Sequence, residues 1–186
     1  NSIRKMINDF NPEEMIICWD GAGGSQKRRT VIKEYKEGRK PIRKNYEVAG
    51  MDKQSENENK YWQQEVLMEM LNEMPIIQLM LERTEADDII AYVTKSPKYK
   101  GWQKVIISSD KDFIQLLDDE TVLYRPIAKK AMNKKSVIEE FGISPQNFAI
   151  ARAMAGDKSD NLEGIRGAGL KTISKRLPTL REEKEH

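Results

Sequence analysis

The chain has 186 residues, of which 38% are apolar and 33% charged, and 32 basic against 30 acidic residues leave a net charge of only +2. This length allows one domain, or one domain with a small appendage, and a core that needs no covalent staple. The one cysteine, Cys18, excludes an internal disulfide framework and fits a reducing compartment, and the one histidine, His186, excludes internal histidine triads and histidine-rich zinc sites.

The two ends of the chain indicate a fragment of a longer protein. It opens at Asn1 and enters a helical pattern, Ile3 to Phe10, with neither an initiating Met nor a signal peptide. It stops within a charged run, Arg181 to His186. No apolar run approaches the ~18 residues that a membrane span needs, so we expect no membrane partner.

The apolar spacing predicts strands that alternate with helices. The predicted strands are Met15 to Trp19, Ile76 to Leu81, Lys104 to Ser109 and Thr121 to Tyr124. The predicted helices are Tyr61 to Leu71, Thr84 to Lys95 with Thr84 as N-cap, and a helix capped by Ser144-Pro145 that ends at Ala155. Such alternation is typical of an α/β fold with a mostly parallel sheet flanked by helices.

Basic residues are concentrated in two segments, Lys27 to Lys44 and Lys129 to Lys135. Runs of this kind are often only a solvated surface, but they also suit a polyanionic partner. The stretch Asn45 to Lys60 has almost no apolar residues, which predicts a loop.

Carboxylates lie at the ends of the predicted elements. Taken singly, each fits a turn or a helix cap. The carboxyl ends of parallel strands share one edge of a sheet, however, so the fold would bring several of them together. These residues are Asp20, Glu85, Asp87, Asp88, Asp110, Asp112, Asp157 and Asp160.

A shared edge would make these carboxylates repel one another, and divalent cations would relieve that repulsion. Oxygen ligands without Cys or His favour Mg²⁺ or Mn²⁺ over zinc. An EF-hand starting at Asp157 is a poor alternative, because its sixth position is Leu162 instead of Gly and its twelfth is Ala168 instead of Glu.

A glycine-containing hairpin, Gly164 to Thr172, follows the last of these acids. Its glycines permit a tight turn, and the amides at the start of the next helix can hold a phosphate. The earlier glycine-rich segment Gly21 to Lys27 lacks the spacing of a mononucleotide-binding loop, which excludes a kinase or NTPase of that type.

In this order the motifs resemble the 5′-nuclease superfamily, which includes phage flap endonucleases and the 5′→3′ exonuclease domain of bacterial DNA polymerase I. The resemblance extends over about residues 14 to 177. The matching segments are Trp19-Asp20-Gly21, Tyr35-Lys36 with Arg39, Glu85-Ala86-Asp87-Asp88, Ser109 to Phe113, Gly156 to Asn161 and Gly164 to Lys171.

Three departures accompany the resemblance, one of which is that the region after the hairpin is cut short. The family's first metal-binding Asp, on an N-terminal strand, has no counterpart, and Ala168 stands where the hairpin usually carries a larger apolar residue. Without the upstream strand we expect the strands Met15 to Trp19 and Lys104 to Ser109 to lack a neighbour, and the fragment to be poorly soluble or nearly inactive.

The resemblance implies an α/β core like that of PIN-type nucleases over residues 1–140, with a basic, arch-like insertion at about 27–60. Residues 141–186 would then hold an acidic metal loop and a truncated helix–three-turn–helix DNA clamp.

The resemblance also implies metal-dependent hydrolysis of phosphodiester bonds in DNA, or in RNA paired to DNA, with two Mg²⁺ or Mn²⁺ ions. Asp20, Glu85 and Asp87 would serve the first ion. Asp110, Asp112 and Asp157 would serve the second, with Asp160 close by and Asp88 behind the ligands.

By the same resemblance, Lys36 and Arg39 would contact the scissile phosphate, and Tyr35 would stack on a base. The substrate would be branched or 5′-ended DNA, such as a flap or a nicked duplex, bound by a monomer in the cytoplasm of a phage-infected or bacterial cell. A K⁺ ion would sit at the hairpin, whose DNA contacts would be Gly164, Arg166, Gly167, Gly169, Lys171, Thr172 and Lys175.

Two other functions remain open at this point. A PIN-type ribonuclease would share the acidic edge but would not need the hairpin. A DNA-binding module without catalysis would use the hairpin and the basic segments, but carboxylates facing phosphates would weaken its binding.

Overall fold

The structure, a computed structural model, describes residues 2–37 and 53–184. The chain forms two compact units, Asn1–Gly24 with Lys40–Ala86 and Ser25–Arg39 with Asp87–His186. The predicted division of the chain into 1–140 and 141–186 has other boundaries and stays a prediction. Within the described ranges no helix is long and apolar enough to cross a lipid bilayer.

Helices and strands alternate along the chain. The helices are α1 (Ser2–Phe10), α2 (Gln26–Val31), α3 (Lys53–Asn72), α4 (Ala86–Lys95), α5 (Lys134–Phe141), α6 (Phe148–Ala155) and α7 (Leu170–Arg176). The strands are β1 (Ile16–Trp19), β2 (Ile77–Met80), β3 (Lys104–Ile107), β4 (Thr121–Arg125) and β5 (Lys130–Met132). Short 3₁₀ turns lie at Pro97–Tyr99, Asp112–Leu116, Pro145–Asn147 and Pro178–Arg181.

The first unit is built on a parallel pair of strands, β1 and β2, in which Ile16 lies opposite Ile77 and Trp19 opposite Met80. Gln78 ties this pair to α3. Its side chain accepts a hydrogen bond from the Trp19 indole at 3.0 Å and donates one to the carbonyl oxygen of Met68 at 2.9 Å. Parallel pairing places the carboxyl ends of both strands at the same edge, where Asp20 and Glu85 follow.

The second unit has its own sheet and core. Strands β3 and β4 are parallel and β4 and β5 antiparallel. The core beneath them is aliphatic and aromatic, and burying such side chains is the main stabilising term. Its members are Ile106, Phe113, Ile114, Leu117, Leu123, Met132, Val137, Ile143, Phe148, Ala151, Ile173 and Leu180.

The predicted α/β class is confirmed, and each predicted strand is present with its boundaries moved by one or two residues. The prediction of a single, mostly parallel sheet agrees with the structure only in part. Two of the three described pairings are parallel, but the strands lie in a two-stranded and a three-stranded sheet. Periodicity identifies a strand but not its partner. Strand β5, with three residues, is too short to give a periodic signal.

The prediction of a loop from Asn45 to Lys60 is wrong for its second half, because α3 already begins at Lys53. Its first turns contain neither Gly, Pro nor β-branched residues, and they extend a helix that Tyr61 to Leu71 would form in any case. Residues 45–52, and with them the middle of the predicted arch-like insertion, lie outside the described residues.

Candidate functional site

The connections after β1 and β2 are joined at the edge where both strands end. Gly21 N donates to the carbonyl oxygen of Thr84 at 3.0 Å, and Arg83 N donates to that of Ala22 at 2.9 Å. A Cβ at Gly21 would lie 1.8 Å from the carbonyl oxygen of Leu81, so only glycine fits there. The fold therefore brings Asp20 to the segment that carries Glu85, as the strand order predicts.

Asp20 caps helix α4 from far away in the sequence. Its Oδ1 accepts a hydrogen bond from Ala86 N at 2.8 Å. The prediction that Thr84 is the N-cap is therefore wrong: α4 begins at Ala86, and the Thr84 hydroxyl donates to the carbonyl oxygen of Glu82. Sequence spacing favours a local cap, and a carboxylate 66 residues away gives no local signal. Glu85 is buried, with 6% of its surface exposed.

The cap gives Asp20 a structural role that can be separated from metal binding. Asp20→Ala removes the acceptor for Ala86 N and should lower the free energy of unfolding by about 1 kcal/mol, whereas Asp20→Asn should nearly preserve it. Thermal melting in EDTA measures both. Equal destabilisation by Asn and Ala would contradict the cap, and a cleavage defect confined to Ala would contradict a metal-binding role.

In the second unit, Asp110 and Asp112 follow β3. Asp110 Oδ1 accepts a hydrogen bond from Asp112 N at 2.9 Å, and Asp110 N donates one to the Ser108 hydroxyl oxygen at 3.1 Å. Asp110 therefore holds the first amide of the 3₁₀ turn Asp112–Leu116, and both carboxylates are exposed. Asp110 is thus a turn residue that lies just before the N-cap, Lys111, and its second carboxylate oxygen can still serve as a ligand.

Arg152, on α6, bridges two of the predicted metal ligands. Its Nε donates to Asp112 Oδ1 at 2.9 Å, and its terminal nitrogen Nη2 forms an ion pair with Asp157 Oδ2. Partial burial raises the pKa of Asp157, but hydrogen bonds from Ser159 and Arg152 outweigh it and hold that pKa below its usual value. Sequence reasoning missed Arg152, because an arginine inside a helix carries no motif.

Asp157 and Asp160 lie in a loop that closes on itself. Asp157 and Leu162 exchange two backbone hydrogen bonds, at 2.9 and 2.8 Å. The loop borders an open cleft of about 290 Å³ together with Asp112 and Arg152. Three of the predicted metal ligands of this unit, Asp112, Asp157 and Asp160, therefore line one cleft.

The turn after α2 carries Tyr35 and Lys36 and lies against this loop, where Lys36 N donates to the carbonyl oxygen of Asp160 at 3.0 Å. The structure therefore brings a predicted catalytic lysine to the loop of the predicted acids. Tyr35 is only 8% exposed, and the Lys36 ammonium lies 5.0 Å from its ring centroid. This burial does not favour the predicted stacking on a base. Arg39 lies outside the described residues.

Asp87 and Asp88 occupy the first turn of α4. Asp88 forms a two-pronged ion pair with the Arg28 guanidinium, at 2.8 and 3.1 Å. With both of its oxygens engaged by Arg28, Asp88 is better placed to hold α2 against α4 than to bind a metal ion. Asp87 is exposed.

The predicted hairpin connects α6 to α7. Its residues Gly164 to Gly169 help to line a second open cleft, of about 770 Å³. Arg166, Lys171 and Lys175 are exposed, and Thr172 is half-buried. Gly167 has a φ of 76°, in the left-handed region that favours glycine.

Gly156 and Gly164 cross at close range. A Cβ at Gly164 would lie 2.4 Å from Gly156 N, and one at Gly156 would lie 2.3 Å from Gly164 N. These two glycines let the acidic loop fold back on the end of α6, which gives Gly164 a packing role that its predicted DNA contact does not require.

The donor set decides whether a divalent ion fits. The candidate ligands are carboxylates, as Mg²⁺ and Mn²⁺ prefer. Across residues 2–37 and 53–184, no three acidic, cysteine or histidine side chains are placed to hold an ion as they stand. In the second unit Arg152 supplies the positive charge instead. The donors therefore fit such an ion chemically.

Comparison with known proteins shows to which family the chain belongs. The sequence model described as "5′-3′ exonuclease, N-terminal resolvase-like domain" matches residues 1–142. A 5′-3′ exonuclease of Aquifex aeolicus is 32% identical over 167 residues, which is 90% of this chain and 53% of that protein. DNA polymerase I of Bacillus subtilis is 32% identical over 181 residues, 94% of this chain and 19% of that protein.

Solved structures show the same fold. The bacteriophage T5 5′-exonuclease with bound zinc superposes with a TM-score of 0.73 at 19% identity and covers 97% of this chain and 65% of that one. The chain spans about half the length of the exonuclease relatives it matches. On the family match and the shared fold together, this chain belongs to the family of 5′-3′ exonuclease N-terminal, resolvase-like domains.

Proposed function

We propose that the protein is a metal-dependent 5′→3′ exonuclease and flap endonuclease that hydrolyses phosphodiester bonds in DNA, and in RNA paired to DNA. One observation carries this proposal: Asp112, Asp157 and Asp160 line a single cleft, and the turn of Lys36 is hydrogen-bonded to the same acidic loop. Acids suited to divalent ions thus line one cleft, and a lysine suited to a phosphate belongs to a turn that contacts the loop of two of them. A structure named as the T5 flap endonuclease with DNA and metal ions has the same fold, with a TM-score of 0.71.

The side chains of this protein would divide the work. In the second unit Asp110, Asp112, Asp157 and Asp160 are the candidate ligands of one ion, and Asp20, Glu85 and Asp87 those of another. When bound, such ions activate water and stabilise the leaving oxygen. Lys36, with Arg39, would bind the scissile phosphate and offset its growing negative charge. Arg152 helps to keep Asp157 ionised, because its guanidinium favours the charged form of that carboxyl.

The hairpin would hold the duplex away from the cut. We interpret α6, the hairpin and α7 as a helix–three-turn–helix clamp in which Gly164, Arg166, Gly167, Gly169 and Thr172 approach the DNA backbone. Carbonyl groups along the cleft at Gly164 to Gly169 are the candidate ligands of a K⁺ ion there. The substrate would be a 5′ flap or a nicked duplex, because the clamp needs duplex and the cut needs a 5′ end.

The clamp predicts binding that phosphates govern. Lys171 and Lys175 are exposed on α7, so replacing both by Ala should weaken duplex binding equally for different sequences. Each lost phosphate contact should make the negative slope of log K against log salt shallower by about 0.9. Fluorescence anisotropy at several salt concentrations measures this. An unchanged slope in the double variant would remove these lysines from the interface.

Cleavage of two substrates tests the function itself. We expect 5′-flap DNA to be cut in Mg²⁺, single-stranded RNA to be left intact, and EDTA to stop the reaction. Preferred cleavage of single-stranded RNA would indicate a ribonuclease instead. Flap DNA that is bound but not cut in either Mg²⁺ or Mn²⁺ would indicate a binding module.

A further inference from the structure

Two hydrogen bonds fasten the Lys36 turn to the acidic loop. Lys36 N donates to the carbonyl oxygen of Asp160 at 3.0 Å, and Asn161 Nδ2 donates to that of Glu34 at 3.2 Å. The second bond joins residues 127 apart in the sequence. Because the turn is held at two positions, the loop sets its direction as well as its place.

The loop is a firm anchor for this turn. Besides the two backbone bonds between Asp157 and Leu162, Asp157 Oδ1 accepts hydrogen bonds from Ser159 N at 2.7 Å and from the Ser159 hydroxyl at 2.6 Å. Asp160 N donates to the carbonyl oxygen of Asp157 at 3.2 Å. A loop that is closed by its own hydrogen bonds can hold the Lys36 turn, which is attached at its tip, in a defined position.

Backbone geometry explains why asparagine suits the tip. Asn161 has a φ of 59°, and Lys36 has a φ of 58°. The left-handed region disfavours most side chains but tolerates Asn. Glycine would accept this backbone conformation but has no side-chain donor for the carbonyl oxygen of Glu34. Aspartate would accept it but presents only acceptor oxygens to the Glu34 carbonyl. Asparagine meets both requirements.

We infer that Asn161 is a positioning residue, which holds the Lys36 turn against the loop of Asp157 and Asp160 and so places the Lys36 ammonium for the scissile phosphate. This inference rests on the proposed function, in which Lys36 acts on that phosphate. Asn161 itself would touch neither the phosphate nor a metal ion. Its effect on cleavage would pass through Lys36 alone.

A double-mutant cycle tests this dependence. We would measure single-turnover cleavage of 5′-flap DNA in Mg²⁺, DNA affinity in EDTA, and thermal melting for Asn161→Gly, Lys36→Ala and the double variant. Since a misplaced group can cost ~100-fold in rate, we expect Asn161→Gly to lower the rate at least ~10-fold. Affinity and melting should scarcely change. In the Lys36→Ala background, Asn161→Gly should cost nothing further.

Two more variants serve as controls. Asn11→Gly makes the same change at another left-handed asparagine, with a φ of 42°, just after α1 in the first unit. It should leave the cleavage rate unchanged. Asn161→Asp keeps a side chain suited to this backbone but loses the donor, so it should match Asn161→Gly and replaces it if the glycine variant unfolds.

The outcomes separate the inference from the function on which it rests. If Lys36→Ala leaves the cleavage rate unchanged, the proposed role of Lys36 fails and the positioning role fails with it. If Lys36→Ala slows cleavage but Asn161→Gly or Asn161→Asp adds its full loss in the double variant, Asn161 acts independently. The inference is then overturned while the function of Lys36 stands. A wild-type rate in both Asn161 variants also overturns it.

Discussion

Asp110→Asn and Asp112→Asn should each lower cleavage of flap DNA by about 1000-fold or more, while the protein stays folded. Both substitutions keep an oxygen at Oδ1. The new amide at position 110 can still accept from Asp112 N, and the one at position 112 can still accept from Arg152 Nε. What the substitutions remove is the charge that a divalent ion would require. The turn should therefore stay intact, and a loss of activity would show that the removed charges are needed to bind the metal ion.

The two variants should differ in stability. Asp110 shares its turn with the acidic residue Asp112, so its neutralisation should leave the melting temperature unchanged or raise it when metal is absent. Asp112→Asn gives up half of the Arg152 bridge, an ion pair with a half-exposed carboxylate, and should cost no more than about 1 kcal/mol.

Melting in EDTA beside single-turnover cleavage in Mg²⁺ measures both effects. Asp119→Asn is the matched control, because it removes a surface charge paired with Lys134 at 2.7 Å in the same unit. It should retain full activity. Nuclease activity retained by both Asp110→Asn and Asp112→Asn would exclude these carboxylates as ligands.

Lys36→Ala should lower the rate of cleavage by about 100-fold while flap DNA still binds, because a positive group near the scissile phosphate contributes most once charge develops there. The backbone should tolerate the change. Both Lys and Ala carry a Cβ, so the left-handed φ of 58° costs each about the same, and the bond to the carbonyl oxygen of Asp160 uses only the backbone.

Lys33→Ala is the control for Lys36, since Lys33 is an exposed lysine three residues earlier. We expect Lys33→Ala to weaken DNA binding slightly, because it loses attraction to the phosphates, and to leave the cleavage rate of bound DNA unchanged. Single-turnover rates at saturating enzyme separate the two effects. Equal losses of affinity and rate in Lys36→Ala would make Lys36 an ordinary surface charge.

The strands and the acids that follow them could be predicted from the sequence, because both depend on local patterns. Four apolar runs correspond to four of the strands, and Asp20 meets the segment of Glu85 because parallel strands share a carboxyl edge. The pairing of Trp19 with Met80 then determines that both strands end at the same level.

The parts that sequence reasoning missed are contacts across long separations. Asp20 capping α4, Arg152 between Asp112 and Asp157, and Asn161 on Glu34 each depend on tertiary placement. None of them has a repeating period or a motif of its own. The metal assignments of the eight carboxylates also stay predictions, since they came from the resemblance and the sheet-edge argument alone.

The crossing of Gly156 and Gly164 affects how a mutational screen of this protein should be interpreted. Any larger residue at either position would force backbone atoms apart and shift the loop of Asp157 and Asp160. Such variants would score as inactive, as variants of the metal-binding carboxylates would, although neither glycine needs to contact the substrate. A screen that measures only activity would therefore assign too many residues to the catalytic centre. Measuring the yield of folded protein for each inactive variant would separate the two groups, because glycine variants should lose soluble protein and carboxylate variants should not.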